Sequence, residues 1–237
     1  GKVWKDGAIP VSGRSKEAVA RVRPRLEEAL AGTGLIFGAP VFIRIFKESN
    51  ELEVWVYDGG RGVYELFRTY GIRNYSGTLG SKTKEGDRQA PEGFYSVAAG
   101  QLNPLSRFHL SFDIGYPNEY DRAHGYTGSA IMVHGSTASI GCFAMGDESI
   151  EEIYALAEAA LRAGQDAFAV HVLPFRMTAE AIAAHDGSAW MDFCRSIKPG
   201  YDCFEEPHVP PEVAVREGEY EFRAAARGDG RLFSRGI

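Results

Sequence analysis

Ile131-Met132-Val133-His134-Gly135-Ser136-Thr137-Ala138-Ser139-Ile140-Gly141-Cys142-Phe143-Ala144-Met145-Gly146-Asp147 is the stretch on which fold and chemistry both turn. Ala130 to Val133 is a compact apolar run, read as a strand that delivers His134 to its end. A short Gly/Ser loop then delivers Cys142. A helix is expected over 147–163, where Ile150, Ile153, Tyr154, Ala157 and Leu161 recur at helical spacing and Gly164 ends the run. Asp147 or Ser149 is expected to cap its start, and Ser149 with Glu152 fits a capping box.

A cysteine attacks a carbonyl as thiolate, and an ordinary thiol pKa of about 8.5 leaves little of it ionised at neutral pH. A neighbouring imidazole takes the proton and holds a thiolate–imidazolium pair. The start of a helix adds a field favourable to the anion. Gly141 lets the backbone approach the reacting carbonyl, so the amides of Gly141 and Cys142 are the expected oxyanion donors. Ser139, or a backbone carbonyl in the 135–139 loop, is expected to orient the imidazole. Two other readings compete. A lone Cys is commonly a small buried apolar residue, and a lone His a satisfied core residue. A metal site would draw on His124, His134, Cys142 and Asp121, but no C-x-x-C or H-x-x-x-H pair supports it, so the reading is no metal and no cofactor.

Outward from this segment the period is mostly two. Val41 to Phe46 and Leu52 to Tyr57 read as strands joined by a turn at Glu48-Ser49-Asn50, and Val63 to Phe67 as a third. Phe94 to Val97 and Ala167 to Leu173 read as further strands, Val213 to Phe222 as a terminal one, and 71–92 as loop. Residues 1–14 read as an irregular arm. Ala18, Val19 and Val22 mark a short helix that Pro24 is expected to break, with Leu26, Ala29 and Leu30 on a second helix ended by Gly32. Ala179 to Ile197 reads as one more helix. The class is α+β, rich in strand.

Of 237 residues 44% are apolar, enough for a sizeable core. The net charge of -6 and the lack of a long basic run argue against nucleic acid and against a polybasic membrane patch. No apolar run reaches the about 18 residues of a transmembrane helix. Residue 1 is Gly, not Met, and an export signal is read as removed. Three cysteines, Cys142, Cys194 and Cys203, leave at least one thiol free, and Cys194 with Cys203 is the candidate disulfide.

His134-Gly135 followed by Ser139-Ile140-Gly141-Cys142 resembles the signature of the L,D-transpeptidase catalytic-domain (YkuD) family. Val41 to Lys47, Pro91 to Val97, Tyr120 to Tyr126, Ser139 to Met145, Pro174 to Thr178 and Lys198 to Asp202 look like its YafK-like branch, so the resemblance spans about residues 40–205. It implies a β-rich YkuD-type domain over 39–175, flanked by an N-terminal helical arm (1–38) and a C-terminal extension packed on it (176–237). It implies a periplasmic or exported enzyme acting on peptidoglycan stem peptides containing diaminopimelate. Cys142 would be the nucleophile and His134 its base, with Ser139 and Gly141 shaping the loop. The chain departs from many members, which have a histidine where Ile140 stands, an arginine where Ala144 stands and a longer His-to-Cys interval. These departures are shared with the YafK-like branch, which resembles amidases that cut diaminopimelate from murein-bound lipoprotein.

An acidic stem peptide needs cationic partners. Arg122 and His124 are the chosen candidates, ahead of Lys82, Arg88, Arg107 and Arg176, because their segment leads into the strand of His134. Tyr126 and Gly135 complete the expected binding residues, and Asp87 is read as fixing a turn. The leading expectation is an amidase working through a Cys142 thioester. The alternatives are a transpeptidase that forms or exchanges such bonds, and a non-catalytic wall-binding module.

Overall fold

The computed structural model describes residues 8–228. Two five-stranded sheets face each other. The first runs β3(Val63–Gly71), β2(Glu51–Asp58), β1(Val41–Phe46), β10(Ala167–Leu173), β5(Gly93–Ala98), with β1 and β10 parallel. The second runs β4(Asn74–Tyr75), β9(Phe143–Ala144), β8(Met132–His134), β7(Ser111–Asp113), β6(Leu102–Asn103), with β8 and β9 parallel. The helices are α1(Gly13–Ala31), α2(Glu119–Ala123), α3(Asp147–Arg162), α4(Ala179–Ala184) and α5(Met191–Glu205), and a hairpin β11(Glu212–Arg216)–β12(Glu219–Arg223) ends the described chain.

Burial explains why β1 reads as an unbroken apolar run. Alternate residues point to opposite faces of a sheet. Val41, Ile43 and Ile45 join the core shared with α1, α3 and the second sheet, including Val133 and Phe143. Phe42 and Phe46 face the other way, where Phe204 and Tyr201 of α5 pack on them at ring distances of 4.8 and 6.4 Å. The first sheet is therefore covered on both faces.

Several expectations need correction. Pro24 does not divide α1, which runs through it. The stripe Ala18, Val22, Leu26 and Leu30 is fully buried while Pro24 is exposed, so the carbonyl that the proline leaves unpaired meets water. Burying apolar side chains, at roughly 1.5–3 kcal/mol for each large one, offsets the about 3 kcal/mol of an interior proline. Residues 179–197 are two helices, separated at 185–190, and the second continues past Pro199 to Glu205. Gly200 lets this helix pack close to its neighbours: a Cβ there would lie 2.4 Å from the Phe222 ring and 2.5 Å from that of Phe94. The terminal strand is a hairpin, because Glu217 and Gly218 both take positive φ and turn the chain. The 71–92 loop holds β4. Helix α3 starts at Gly146 without a side-chain cap, so the Ser149–Glu152 box does not form, and Glu152 instead pairs with Arg25 and Arg68. Cys194 and Cys203 are free thiols on one helix, nine residues and so roughly 13 Å apart along its axis, beyond disulfide reach. Residues 1–7 of the expected arm and 229–237 of the C-terminal extension lie outside the described residues.

Asp121 of α2 is fully buried, accepting from Tyr95 Oη and from the Asn118 amide at 3.0 Å each through Oδ2, while Oδ1 has no partner. Burial pushes its pKa up to about 6. The folded state therefore binds this proton more tightly than the unfolded chain, whose carboxylate titrates near 3.9. The resulting stabilisation is complete below about pH 4 and is lost as the pH rises through about 6. Asp121→Asn should abolish that loss, so that at pH 8 the variant is more stable relative to wild type by about 2–3 kcal/mol than it is at pH 4. Urea unfolding at both pH values checks this, and parallel stability–pH curves would contradict it.

Candidate active site

The pairing of β8 with β9 builds the site. Their parallel register sets Val133 beside Phe143 and His134 beside Ala144. Extending it by one residue sets Met132 beside Cys142, and the Met132 N–H donates to Cys142 Sγ at 3.3 Å. On the other side β7 sets Asp113 opposite Met132 and Ser111 opposite His134. Paired residues share a face of the sheet, as do residues two apart. Asp113, Met132 and Cys142 thus form one row, and Ser111, His134 and Ala144 the next row on the same face. The first row is half-buried and the second buried.

The loop from 135 to 146 is closed by short contacts. Met145 N–H donates to the His134 carbonyl at 2.8 Å and Gly146 N–H to that of Ser136 at 2.9 Å. Asp147 Oδ1 accepts from the Ser136 amide at 2.7 Å. Gly141 sits at φ 84°, a conformation that favours glycine. Gly135 is required for space, since a Cβ would meet the Phe108 carbonyl at 2.6 Å and Asp147 Oδ1 at 2.7 Å. The Ser139 hydroxyl donates to the carbonyl of Cys142 itself, and Ser76 Oγ donates to that of Ser139 at 3.2 Å.

His134 Nδ1 bonds to the Gly135 carbonyl. A carbonyl only accepts, so Nδ1 carries the proton and Nε2 is the basic atom. The Phe108 ring stacks on the imidazole at 4.6 Å. Of the two groups expected to orient the ring, the backbone carbonyl does so, and Ser139 acts on the cysteine strand instead. Burial lowers the His134 pKa, against the Gly135 bond that raises it. Burial raises the Cys142 pKa; the Met132 amide and Lys82 pull it down and Asp113 pushes it up. Burial thus favours the neutral thiol and the neutral imidazole over the expected ion pair. The start of α3 is not what meets the sulfur: Gly146 and Asp147 are bound to Ser136, and the amide at Sγ is that of Met132.

The expected binding residues divide. Gly135 lies in the loop as a spacing residue. Arg122 donates to the Pro117 carbonyl and lines a cavity of about 200 Å³ with Tyr95, Ser96, Gln101, Gly115 and Asn118. His124 stacks on Tyr120 at 4.1 Å and reaches Glu219 of β12 at 4.0 Å. Tyr126 packs beside His124 at 5.6 Å. None of these recorded contacts of Arg122, His124 or Tyr126 is with Cys142, His134 or the loop between them. Arg176 pairs with Glu51 and Glu53 in the first sheet. Asp121 is bonded to Tyr95 and Asn118, and among the described residues His124, His134, Cys142 and Asp121 do not gather as a metal-ligand set. Sequence reading missed Asp113 and the Met132 amide, because only the β7–β8–β9 register brings them to the thiol. Lys82 acts on Cys142 while tied to Asp87 at 2.6 Å, and Asp87 also holds the Thr83, Lys84 and Gln89 amides, fixing the turn as expected.

The L,D-transpeptidase catalytic domain (YkuD) matches residues 41–172, more than half of the chain, and the protein belongs to that family, whose members are peptidoglycan-related enzymes. The proteins named "Putative L,D-transpeptidase YafK" of Escherichia coli K12 and O157:H7 are each 46% identical to it over 185 residues, 78% of this chain and 74% of theirs. Among solved structures, the helical cell shape determining protein Pgp2 of Campylobacter jejuni is 21% identical with a TM-score of 0.44, over 74% of this chain and 64% of that one. Bd1075 of Bdellovibrio bacteriovorus is 19% identical with a TM-score of 0.39, over 58% of this chain and 48% of that one. The family assignment rests on the sequence matches.

The site predicts a reluctant resting thiol. The rate of Cys142 alkylation by iodoacetamide, followed residue by residue by mass spectrometry, should rise with a midpoint above that of a free cysteine. A midpoint at or below neutral pH would mean a preformed ion pair.

Proposed function

We propose that the protein is a cysteine amidase of peptidoglycan that cleaves amide bonds at meso-diaminopimelate, such as the link to a murein-bound lipoprotein. The observation that carries this reading is the Nδ1 bond of His134 to the Gly135 carbonyl, which leaves Nε2 as a base on the same sheet face as Cys142 Sγ. As sulfur attacks the scissile carbonyl, Nε2 takes the thiol proton, so charge separates only when the substrate is in place. The amides of Gly141 and Cys142 hold the oxyanion. The imidazolium then protonates the leaving amine, and a thioester remains on Cys142. Water gives its proton to Nε2, adds to the thioester, and releases the acid and the free thiol.

Hydrolysis is favoured over transfer to a second amine by what surrounds the thiol. Ala144 stands, fully buried, where many family members have an arginine, so no guanidinium is there to hold a carboxylate. Ile140 stands where many have a histidine and is 78% exposed, on a loop shorter than is common in the family, which covers less of the acyl-enzyme against water. This substrate places the enzyme in the periplasm or an equivalent exported compartment.

The test is incubation of sacculi carrying covalently bound lipoprotein with wild-type protein or Cys142→Ala, followed by mass spectrometry of released protein and muropeptides. Release by wild type alone, with no new cross-links, is expected. Amine-exchanged or newly cross-linked peptides would make the enzyme a transpeptidase. Unchanged muropeptides with sacculus binding retained by Cys142→Ala would leave a wall-binding module.

A further inference from the structure

We infer that Asp113 receives an ammonium group of the acyl donor, carried close to the carbonyl that Cys142 attacks. The inference rests on the proposed function and names the substrate feature that the same site reads.

Asp113 ends β7 in the row that contains Met132 and Cys142, the half-buried row of the site face. Its backbone and one carboxylate oxygen are fixed. Oδ1 accepts from the Gly115 amide at 2.8 Å, and its carbonyl accepts from Gln101 Nε2 at 3.0 Å. Gly115, at φ 91°, completes the turn. Among the described residues Asp113 has no cationic partner within ion-pair distance, so a half-buried carboxylate is held in place without a countercharge. Burial raises its pKa, the expected response of such a group. The other charge acting on the thiol is different: Lys82 Nζ is already paired with Asp87 at 2.6 Å and donates to the Lys84 carbonyl at 2.9 Å.

An anion beside a nucleophile that must become a thiolate opposes the chemistry, and Asp113 does raise the Cys142 pKa. That opposition disappears when a cation is bound. A substrate ammonium at Asp113 neutralises the carboxylate and so removes its opposition to the thiolate. The group that identifies the donor therefore also activates the thiol. A diaminopimelate residue acylated through one centre carries such an ammonium on the other, within the same side chain. Ordinary peptide bonds between neutral residues offer none, so the empty site stays in its reluctant form.

The experiment compares two ligands on the Cys142→Ala protein, which binds without turnover. One is a stem peptide containing meso-diaminopimelate with its free amino group, and the other is the same peptide with that group acetylated. Calorimetry should show the free peptide binding tighter by on the order of tenfold, as one ion pair in a half-buried site allows. Adding Asp113→Asn should make the two peptides bind alike. Asparagine keeps the oxygen that holds the Gly115 amide, so the turn survives and only the charge is lost. In ligand-free protein with Cys142 intact, Asp113→Asn should also speed alkylation of the thiol, which a purely structural role would not do. Equal binding of the two peptides to the Asp113 protein, a comparison independent of how the variant folds, would overturn the inference. So would discrimination that persists in Asp113→Asn. Binding is read without cleavage, so a failure here is distinct from a failure to release lipoprotein from sacculi.

Discussion

Two short parallel strands hold the site together. Parallel neighbours ordinarily need a crossover of a dozen or more residues. Here β8 and β9 are joined by residues 135–142 alone, which works because the strands are only three and two residues long and the return path is a tight loop. That loop has little freedom. Gly141 supplies a backbone turn open to glycine, and Gly135 supplies the space that lets the chain pass Phe108 and Asp147. Ser136 is held from both sides, by Asp147 and by Gly146. The pairing fixes which residue of each strand faces which, so cysteine and histidine reach one face without any direct restraint between their side chains.

The same burial that positions the pair also keeps it quiet. Desolvation acts on thiol and imidazole in opposite directions along the pKa scale and with one effect, because it disfavours the charged form of each. A neutral pair in the empty site loses nucleophilicity at rest and gains protection from adventitious electrophiles and oxidants, which attack thiolates. The Met132 amide is then best seen as support for the sulfur as charge develops on it. In the proposed mechanism activation is left to the bound substrate, so selectivity and reactivity depend on the same few groups.

The flanking segments supply rigidity. α5 and the terminal hairpin cover the outer face of the first sheet, with Phe204 against Phe42 and Trp55, and Phe222 against Phe94. His124 and Tyr120 belong to this packing, stacked with Tyr220 of the hairpin. Their place in the chain, just ahead of the histidine strand, suggests a role in binding, but α2 turns them toward the hairpin. α1 performs the matching service on α3, where Arg21 and Arg25 meet Glu151 and Glu152.

Legible in the linear chain were the strand-rich class, most strands of the first sheet, the long helix behind the cysteine, and the placing of His134 and Cys142 at either end of one glycine-bearing loop. Each of these is local: a period of two, a period near four, or a residue type that one loop geometry demands. The remainder depends on contacts between segments far apart in the chain. Pro24 reads as a break, yet α1 runs through it, and α5 likewise contains Pro199, because burial of one face outweighs a missing bond on the exposed one. Arg122 and His124 were drawn to the site by sequence proximity, while Asp113 and the Met132 amide reach it through strand register between segments about thirty and ten residues before Cys142. The protonation state of the pair is likewise invisible in a linear chain, because it depends on how much water the folded protein removes from two atoms.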